Sequence, residues 1–469
     1  MRVLFVTPEC APLTKTGGLG DVSAALPAAL LGLGVEVRTL LPGYTEVLGK
    51  LKNAVETATL RVLGVDVRLL ESGNLLVIDC PTLYRRDGGP YQDASGAEWG
   101  DNALRFGVLS KAASILASAS SPLAWRPECV HCNDWPAALA AAYLAFDAPA
   151  SAASVMTVHN LAFQGNFDAA LLGRLGLPPQ SFTLEGVEFH GRLSFLKAGL
   201  AYADAITTVS PSYAGEIQGE KFGCGLDGLL RRRRQSLTGI LNGIDTDLWN
   251  PAADPLIAEP YDATRLDRKA ANKEALQRRL GLKVDAQIPL LGVVSRLAHQ
   301  KGSDLLAEVI DELAALPAQV AVLGKGETRM EEALAMAAKR HAGTVSATKG
   351  FDESLAHAIE AGADIFLMPS RYEPCGLNQM YSQRYGTPPV AHATGGLIDT
   401  IEDGKTGFLF ARPEADALVE AVRRAIDLRR DAGRWREMQR RGMQRDFSWS
   451  AAARQYAALY SRLAMRAPA

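Results

Sequence analysis

The chain has 469 residues, enough for two or three domains at about 100–200 residues each. Its 52 acidic and 50 basic residues nearly cancel, which excludes the strong basic excess of a nucleic-acid binder. Six cysteines over this length do not make a disulfide framework and point to a reducing cytoplasm, and 48% hydrophobic residues suffice for large buried cores.

Residues 1–6 are an apolar run that stops at Thr7-Pro8. The run is too short for a signal peptide or a membrane span and reads as a first strand. Further buried-strand runs cover 35–41, 75–79, 154–158 and 205–209, and then 289–294, 319–323, 363–368 and 389–393. Alanine-rich or 3.6-periodic segments at 21–33, 103–119, 304–316 and 327–341 read as helices between them, with Gly34 and Gly281 where C-terminal caps belong. Continuous apolar strands alternating with helices predict parallel sheets covered on both faces, an α/β fold. Residues 85–101 form a long polar loop, in which Tyr91 and Trp99 argue against disorder. Cys129-Val130-His131-Cys132 has the spacing of a metal knuckle, but no second cysteine pair closes a tetrahedral site. Both cysteines therefore read as strand residues in a core, and no metal is expected. The run Arg231–Arg234 reads as a solvated helix face. A Pro- and Asp-rich stretch at 248–267 without clear periodicity is taken as the hinge between a domain of residues 1–245 and one of 246–449. A final helix, about 450–469, carries Tyr456, Leu459, Tyr460 and Leu463 at helical spacing and is expected to pack back on the first domain.

Thr-Gly-Gly-Leu occurs twice, at Thr16-Gly17-Gly18-Leu19 and at Thr394-Gly395-Gly396-Leu397, each time between a strand and a helix. Glycine pairs there let backbone N–H groups face an anion, and the helix start adds partial positive charge. Polar residues cluster at other predicted strand ends as well: Glu9 and Lys15; His159-Asn160; Ser295-Arg296 and Lys301; and Ser370 to Gly376. Open parallel sheets bind ligands at these ends. Arg296 offers a planar fork and Lys301 a point charge, a suitable pair for a diphosphate whose negative charge grows as it departs. Glu373 can cap a helix starting near Gly376 or bind a sugar hydroxyl. Cys375 has no His/Asp partner nearby in sequence and is not read as a nucleophile. Gly17-Gly18-Leu19-Gly20 is not the dinucleotide fingerprint, and Leu323-Gly324-Lys325-Gly326 lacks the Gly-Lys-Ser/Thr ending of a phosphate loop. The chain is thus expected to hold a phosphate-bearing ligand in an inter-domain cleft.

The motif from Lys15 to Val22, with His159-Asn160, Leu241-Asn242-Gly243-Ile244-Asp245, Ser295-Arg296, Lys301-Gly302, Glu373-Pro374-Cys375-Gly376-Leu377 and Thr394-Gly395-Gly396-Leu397, resembles bacterial glycogen synthases and plant starch synthases, in order along nearly the whole chain. The resemblance implies a GT-B fold of two Rossmann-like domains. It also implies a retaining, metal-free transfer of glucose from ADP-glucose to the non-reducing 4-hydroxyl of an α-1,4-glucan. By this resemblance Lys15 and Gly18 contact the donor's phosphate and sugar region, and His159 sits by the sugar with its carbonyl near the anomeric carbon. Asn242 bonds glucose hydroxyls, Arg296 and Lys301 hold the diphosphate, and Glu373 meets the glucose 3-hydroxyl. Backbone groups of Cys375, Gly376 and Leu377 also meet the sugar. Thr394 and Gly395 lie near the phosphate, and Phe351 stacks on adenine. Glu9, Tyr91, Asp134 and Trp135 fall on the acceptor side.

Two positions depart from wider patterns. Asn133 stands where the synthases usually carry a histidine, a difference expected to bear on acceptor contacts. Tyr381, eight residues past Glu373, replaces the second glutamate of the wider retaining superfamily, as it does in the synthases. Another retaining nucleotide-sugar transferase (UDP-glucose-dependent or related to sucrose synthase) is the nearest alternative reading, and a nicotinamide dehydrogenase the most distant. Neither nucleic acid nor membrane is an expected partner.

Overall fold

The computed structural model describes residues 1–147 and 152–465. The chain divides into two compact units: Met1–Gly243 with the segment that begins at Trp449, and Ile244–Ser448. The last residues of the expected terminal helix, 466–469, lie outside the described residues.

The first unit is built on a nine-stranded sheet. In spatial order its strands are Leu237–Gly239, Ala205–Thr208, Ala153–Val158, Cys129–Asn133, Arg2–Val6, Glu36–Pro42, Leu75–Asp79, Val65–Ser72 and Val55–Val62. From Leu237–Gly239 to Leu75–Asp79 every pairing is parallel. Cys129–Asn133 and Ala153–Val158 are buried at every position, as expected of strands covered on both faces. Cys129 and Cys132 are therefore core residues. The last two strands form an antiparallel hairpin that lengthens one edge. Its turn, Leu63-Gly64, has positive φ at both residues (47° and 82°), the twist that closes a two-residue hairpin. The first strand pairs with Glu36–Pro42 on one side and Cys129–Asn133 on the other, so the strand order reverses between Arg2–Val6 and Cys129–Asn133.

One face of this sheet is covered by the helices Gly18–Leu31 and Trp449–Ala464. Val3, Phe5, Leu26, Leu30, Val155, Trp449, Tyr456 and Tyr460 share one buried cluster. His131, in the middle of the sheet and fully buried, bonds Tyr460 Oη through Nδ1 (2.7 Å) and Thr157 Oγ1 through Nε2 (2.5 Å), tying the late helix to the central strands.

The second unit is a six-stranded, all-parallel sheet in the order Val345–Lys349, Gln319–Gly326, Leu290–Leu297, Ile365–Met368, Pro389–His392 and Phe408–Phe410. Here the order reverses between Leu290–Leu297 and Ile365–Met368. Gly34 (φ +78°) and Gly281 (φ +66°) follow helix ends in the left-handed region, as their places in the sequence predict.

Three expectations need correction. The stretch 248–267 is not a bare linker. The Trp249 ring is stacked between His357 and Tyr381, 3.9 Å from each, and Tyr261 is fully buried, so the segment is part of the second unit's interior. Arg296 does not follow its strand but lies within it, because pairing with Gln319–Gly326 continues to Leu297 opposite Gly326. In the basic run only part is solvated. Arg233 folds inward and donates to the carbonyls of Leu200, Ala201 and Ala203, the loose C-terminal end of the helix Phe195–Tyr202.

Candidate active site

In each unit the sequence-predicted residues lie at or beyond the carboxyl ends of the parallel strands, where open parallel sheets bind ligands, most of them near the strand-order reversal.

In the first unit, Glu9 follows the first strand and is 3% exposed. Its carboxylate accepts from Thr16 N (2.6 Å), Thr16 Oγ1 (2.6 Å), Gly17 N (3.3 Å) and Tyr91 Oη (2.6 Å). Glu9 thus holds the first glycine loop and the 85–101 loop together, with both oxygens engaged. Burial, with Glu9 beside it, raises the Tyr91 hydroxyl pKa well above its ordinary value, so Tyr91 remains a donor. Across the reversal, the Cys129–Asn133 strand turns abruptly into the helix Asp134–Phe146, and Asp134 takes φ 56°, a conformation L-residues adopt only under constraint. Its carboxylate receives His159 N (2.9 Å) and Asn160 N (3.4 Å). Burial nevertheless pushes its pKa up to about 7, opposed by those N–H groups and reinforced by nearby Glu9. Desolvation pushes His159 down to about 3, so its ring is neutral. Trp135 lies 6.2 Å from the Tyr91 ring and fills the space where a Cβ at Gly165 (φ +58°) would stand, 2.3 Å from that position. Asn242 is 7% exposed and its Oδ1 has no partner among the described residues, an acceptor left for a hydroxyl. Lys15 is turned along its own helix start onto Asp21 (2.7 Å). Asn133, expected to bear on acceptor contacts, is 1% exposed, and its Oδ1 lies 3.0 Å from His159 Nε2.

In the second unit, Lys301 sits on a short turn after the central strand. Its Nζ donates to Glu373 Oε2 at 2.6 Å, and Ser370 Oγ donates to the same oxygen at 3.0 Å. Glu373 is therefore the counterion of Lys301, and the helix Asn378–Arg384 starts without a side-chain cap; the capping alternative is not realised. Glu373 Oε1 has no partner among the described residues. Two glycines make the constellation possible. Gly302 (φ +68°) lets the Lys301 turn approach the next loop, since a Cβ there would lie 2.0 Å from Pro369 O. Gly396 lets the second glycine loop reach the 373–377 segment, with a Cβ position 2.2 Å from Cys375 O and its N–H on Glu373 O at 3.1 Å. Cys375, Gly376, Leu377, Thr394 and Gly395 are thereby neighbours along these two loops. Arg371 ties the Lys301 turn further, pairing with Asp304 (2.5 Å) and donating its N–H to Gln300 O (2.9 Å). Arg296 is exposed on the same edge, its guanidinium donating to Gln300 Oε1 at 3.3 Å. Phe351 is 84% exposed, on the loop after the Val345–Lys349 strand.

Arg371 and Asp304 escape prediction as a pair because nothing local in sequence marks a contact across 67 residues. Among the described residues no cluster of His, Cys, Asp and Glu is suited to a metal ion, and no helix is long and apolar enough to cross a membrane.

Known proteins resemble this chain in sequence and fold. The family model described as the starch synthase catalytic domain matches residues 2–232, and that of glycosyl transferases group 1 matches 276–442. A glycogen synthase from Aromatoleum aromaticum is 56% identical, covering 100% of this chain and 98% of that protein. One from Nitrosomonas eutropha is 53% identical over 99% of this chain and 96% of its own. The catalytic domain of starch synthase IV from Arabidopsis thaliana, solved bound to ADP and acarbose, superposes with a TM-score of 0.87 at 32% identity over 99% of both chains. The dehydrogenase and sucrose-synthase-like readings fall away, and the chain belongs to the glycogen synthase and starch synthase family of GT-B glycosyltransferases.

Proposed function

We propose that the chain transfers glucose from ADP-glucose to the non-reducing 4-hydroxyl of an α-1,4-glucan, glycogen or a maltooligosaccharide, with retention of configuration. The observation that carries this reading is the Lys301–Glu373 pair at 2.6 Å, set beside the exposed guanidinium of Arg296. A fixed cation at this edge stabilises the negative charge that develops on a departing diphosphate. In the step, the bond between the anomeric carbon and the diphosphate oxygen breaks, and the acceptor's O4 bonds that carbon on the same face. The 4-hydroxyl proton passes to the leaving ADP. Arg296 and Lys301 hold the diphosphate, and the free Oε1 of Glu373 accepts the 3-hydroxyl. Backbone groups of Cys375, Gly376 and Leu377 also meet the sugar. Thr394 and Gly395 border the phosphate, and Phe351 stacks on adenine.

On the first unit, Lys15 and Gly18 address the donor's phosphate and sugar region, and the open Oδ1 of Asn242 takes a glucose hydroxyl. His159 offers its carbonyl to the charge-deficient anomeric carbon, while Tyr91, Asp134 and Trp135 receive the acceptor. Glu9 acts by holding the Tyr91 loop in place. The cations supply the charge that a metal would, so EDTA is expected to leave the rate unchanged. The enzyme works in the cytoplasm, consistent with free cysteines of which all but Cys224 are buried. Relatives named glycogen synthase and a starch synthase bound to ADP support the reading. Incubating the protein with glycogen and either ADP-glucose or UDP-glucose, and following nucleotide release, tests it. ADP release that lengthens the glucan is expected; preferential use of UDP-glucose, or hydrolysis without chain growth, rejects it.

A further inference from the structure

We infer that Asn133 is a positioning residue: it fixes the His159 ring as the Nε2–H tautomer, so that Nδ1 presents a lone pair to a hydroxyl of the glucosyl unit. The inference rests on the reading that His159 faces that sugar. It starts from the carboxamide of Asn133, which is 1% exposed at the end of the Cys129–Asn133 strand. One end of that amide lies 3.1 Å from Val6 O and 3.3 Å from His131 O. Both are carbonyls that only accept, so the amide nitrogen must point there. The other end, Oδ1, then lies 3.0 Å from His159 Nε2. An amide oxygen cannot donate, so Nε2 carries the proton.

The rest of the residue is equally constrained. The His159 backbone N–H is held on Asp134 Oδ1 at 2.9 Å, and Nδ1 has no partner among the described residues. Burial keeps the ring from taking a second proton near neutral pH. A neutral ring adds no repulsion beside a carbon that becomes positive, and its one open atom can only accept. Two backbone carbonyls, through one amide, thus decide which hydrogen-bonding face the histidine shows.

The test reads the tautomer directly. In full-length protein labelled with ring-15N histidine, the His159 signals are assigned by their loss in His159→Gln. At pH 7 and without substrate, a pyrrole-type Nε2 and a pyridine-type Nδ1 are expected; the reverse, or an even mixture, overturns the inference. With ADP-glucose and glycogen, Asn133→Leu is expected to lower kcat about tenfold or more, the scale of a misoriented reacting group, with little change in the donor KM. Asn133→Asp, buried as the neutral acid with its O–H on the Val6 or His131 carbonyl, keeps an acceptor opposite Nε2 and is expected to keep the Nε2–H tautomer with a kcat at least about fivefold above that of the Leu variant. Equal kcat in the two variants overturns the inference; if the Leu variant does not fold, the parent and Asp spectra still decide it. Absence of ADP release from the parent protein rejects the transfer reading instead, because the ring spectrum is recorded without substrate.

Discussion

The two units put similar crevices to opposite electrostatic use. In the first, the titratable groups are buried and hydrogen-bonded. Glu9 accepts four hydrogen bonds, Asp134 is pushed up to about 7, and His159 is pushed down to about 3. In the second, Lys301 is anchored by one carboxylate and Arg296 stays at the surface. Desolvation suppresses charge at the first edge, which suits a neutral polyol and the stabilisation of a transient cation. Fixed, partly exposed cations at the other edge suit an anion. Strand topology sets where chemistry can occur; the residues at the strand ends set its sign.

The largest expected effect removes the second unit's charge. Lys301→Ala should lower turnover by at least about 100-fold, the loss seen when one preorganised partner for developing charge is deleted. A near-normal rate of ADP release would remove the contrast between the units altogether. Gly302→Ala attacks the same contact through the backbone. With φ at +68° and Pro369 O in the way, the turn must shift, costing about 1–3 kcal/mol of stability. Activity should fall with the melting temperature, and an unchanged melting curve would show that the close approach of these loops is dispensable.

Acidification should reveal the first unit's neutral character. Burial lowers His131 from its ordinary 6.5 to about 3, so the unfolded chain takes up the proton before the folded one does. Stability fully present above pH 6.5 should therefore be lost as pH falls toward 3. In His131→Gln the drop in melting temperature between pH 7 and pH 4.5 should be smaller than in the parent; an equal drop would place acid sensitivity elsewhere. The smallest effect belongs to Phe351. Replacing this exposed ring with Ala should raise the KM for ADP-glucose about 2- to 10-fold, the worth of one aromatic stack, and leave kcat almost unaltered. A changed kcat with constant KM would detach Phe351 from the base.

Much of this was legible in the chain because it is written locally. The apolar runs at 75–79 and 319–323 and the periodic segment at 304–316 became strands and a helix with ends shifted by at most a few residues. Glycine pairs and cations at strand ends were visible for the same reason. The hairpin Val55–Val62 with Val65–Ser72 was not anticipated, since its exposed positions break up the apolar run that marks a buried strand. Contacts distant in sequence stayed hidden as well. Asn133 looked like an acceptor-side difference, and only the parallel register beside Ala153–Val158 brings it to His159. Glu373 left two uses open until Gly302 and Gly396 brought the loops together. Arg233 looked solvated because its carbonyl partners belong to another helix.

The helix Trp449–Ala464 has a consequence for biosynthesis. It seals a sheet whose opening strand is made at the outset, yet the whole Ile244–Ser448 unit emerges from the ribosome before it. Until then Val3, Phe5 and Val155 lack part of their cover, and His131 lacks the Tyr460 hydroxyl. The later-made half can therefore mature first, while the earlier-made half waits, nearly complete, for a lid encoded more than two hundred residues downstream of its own last strand.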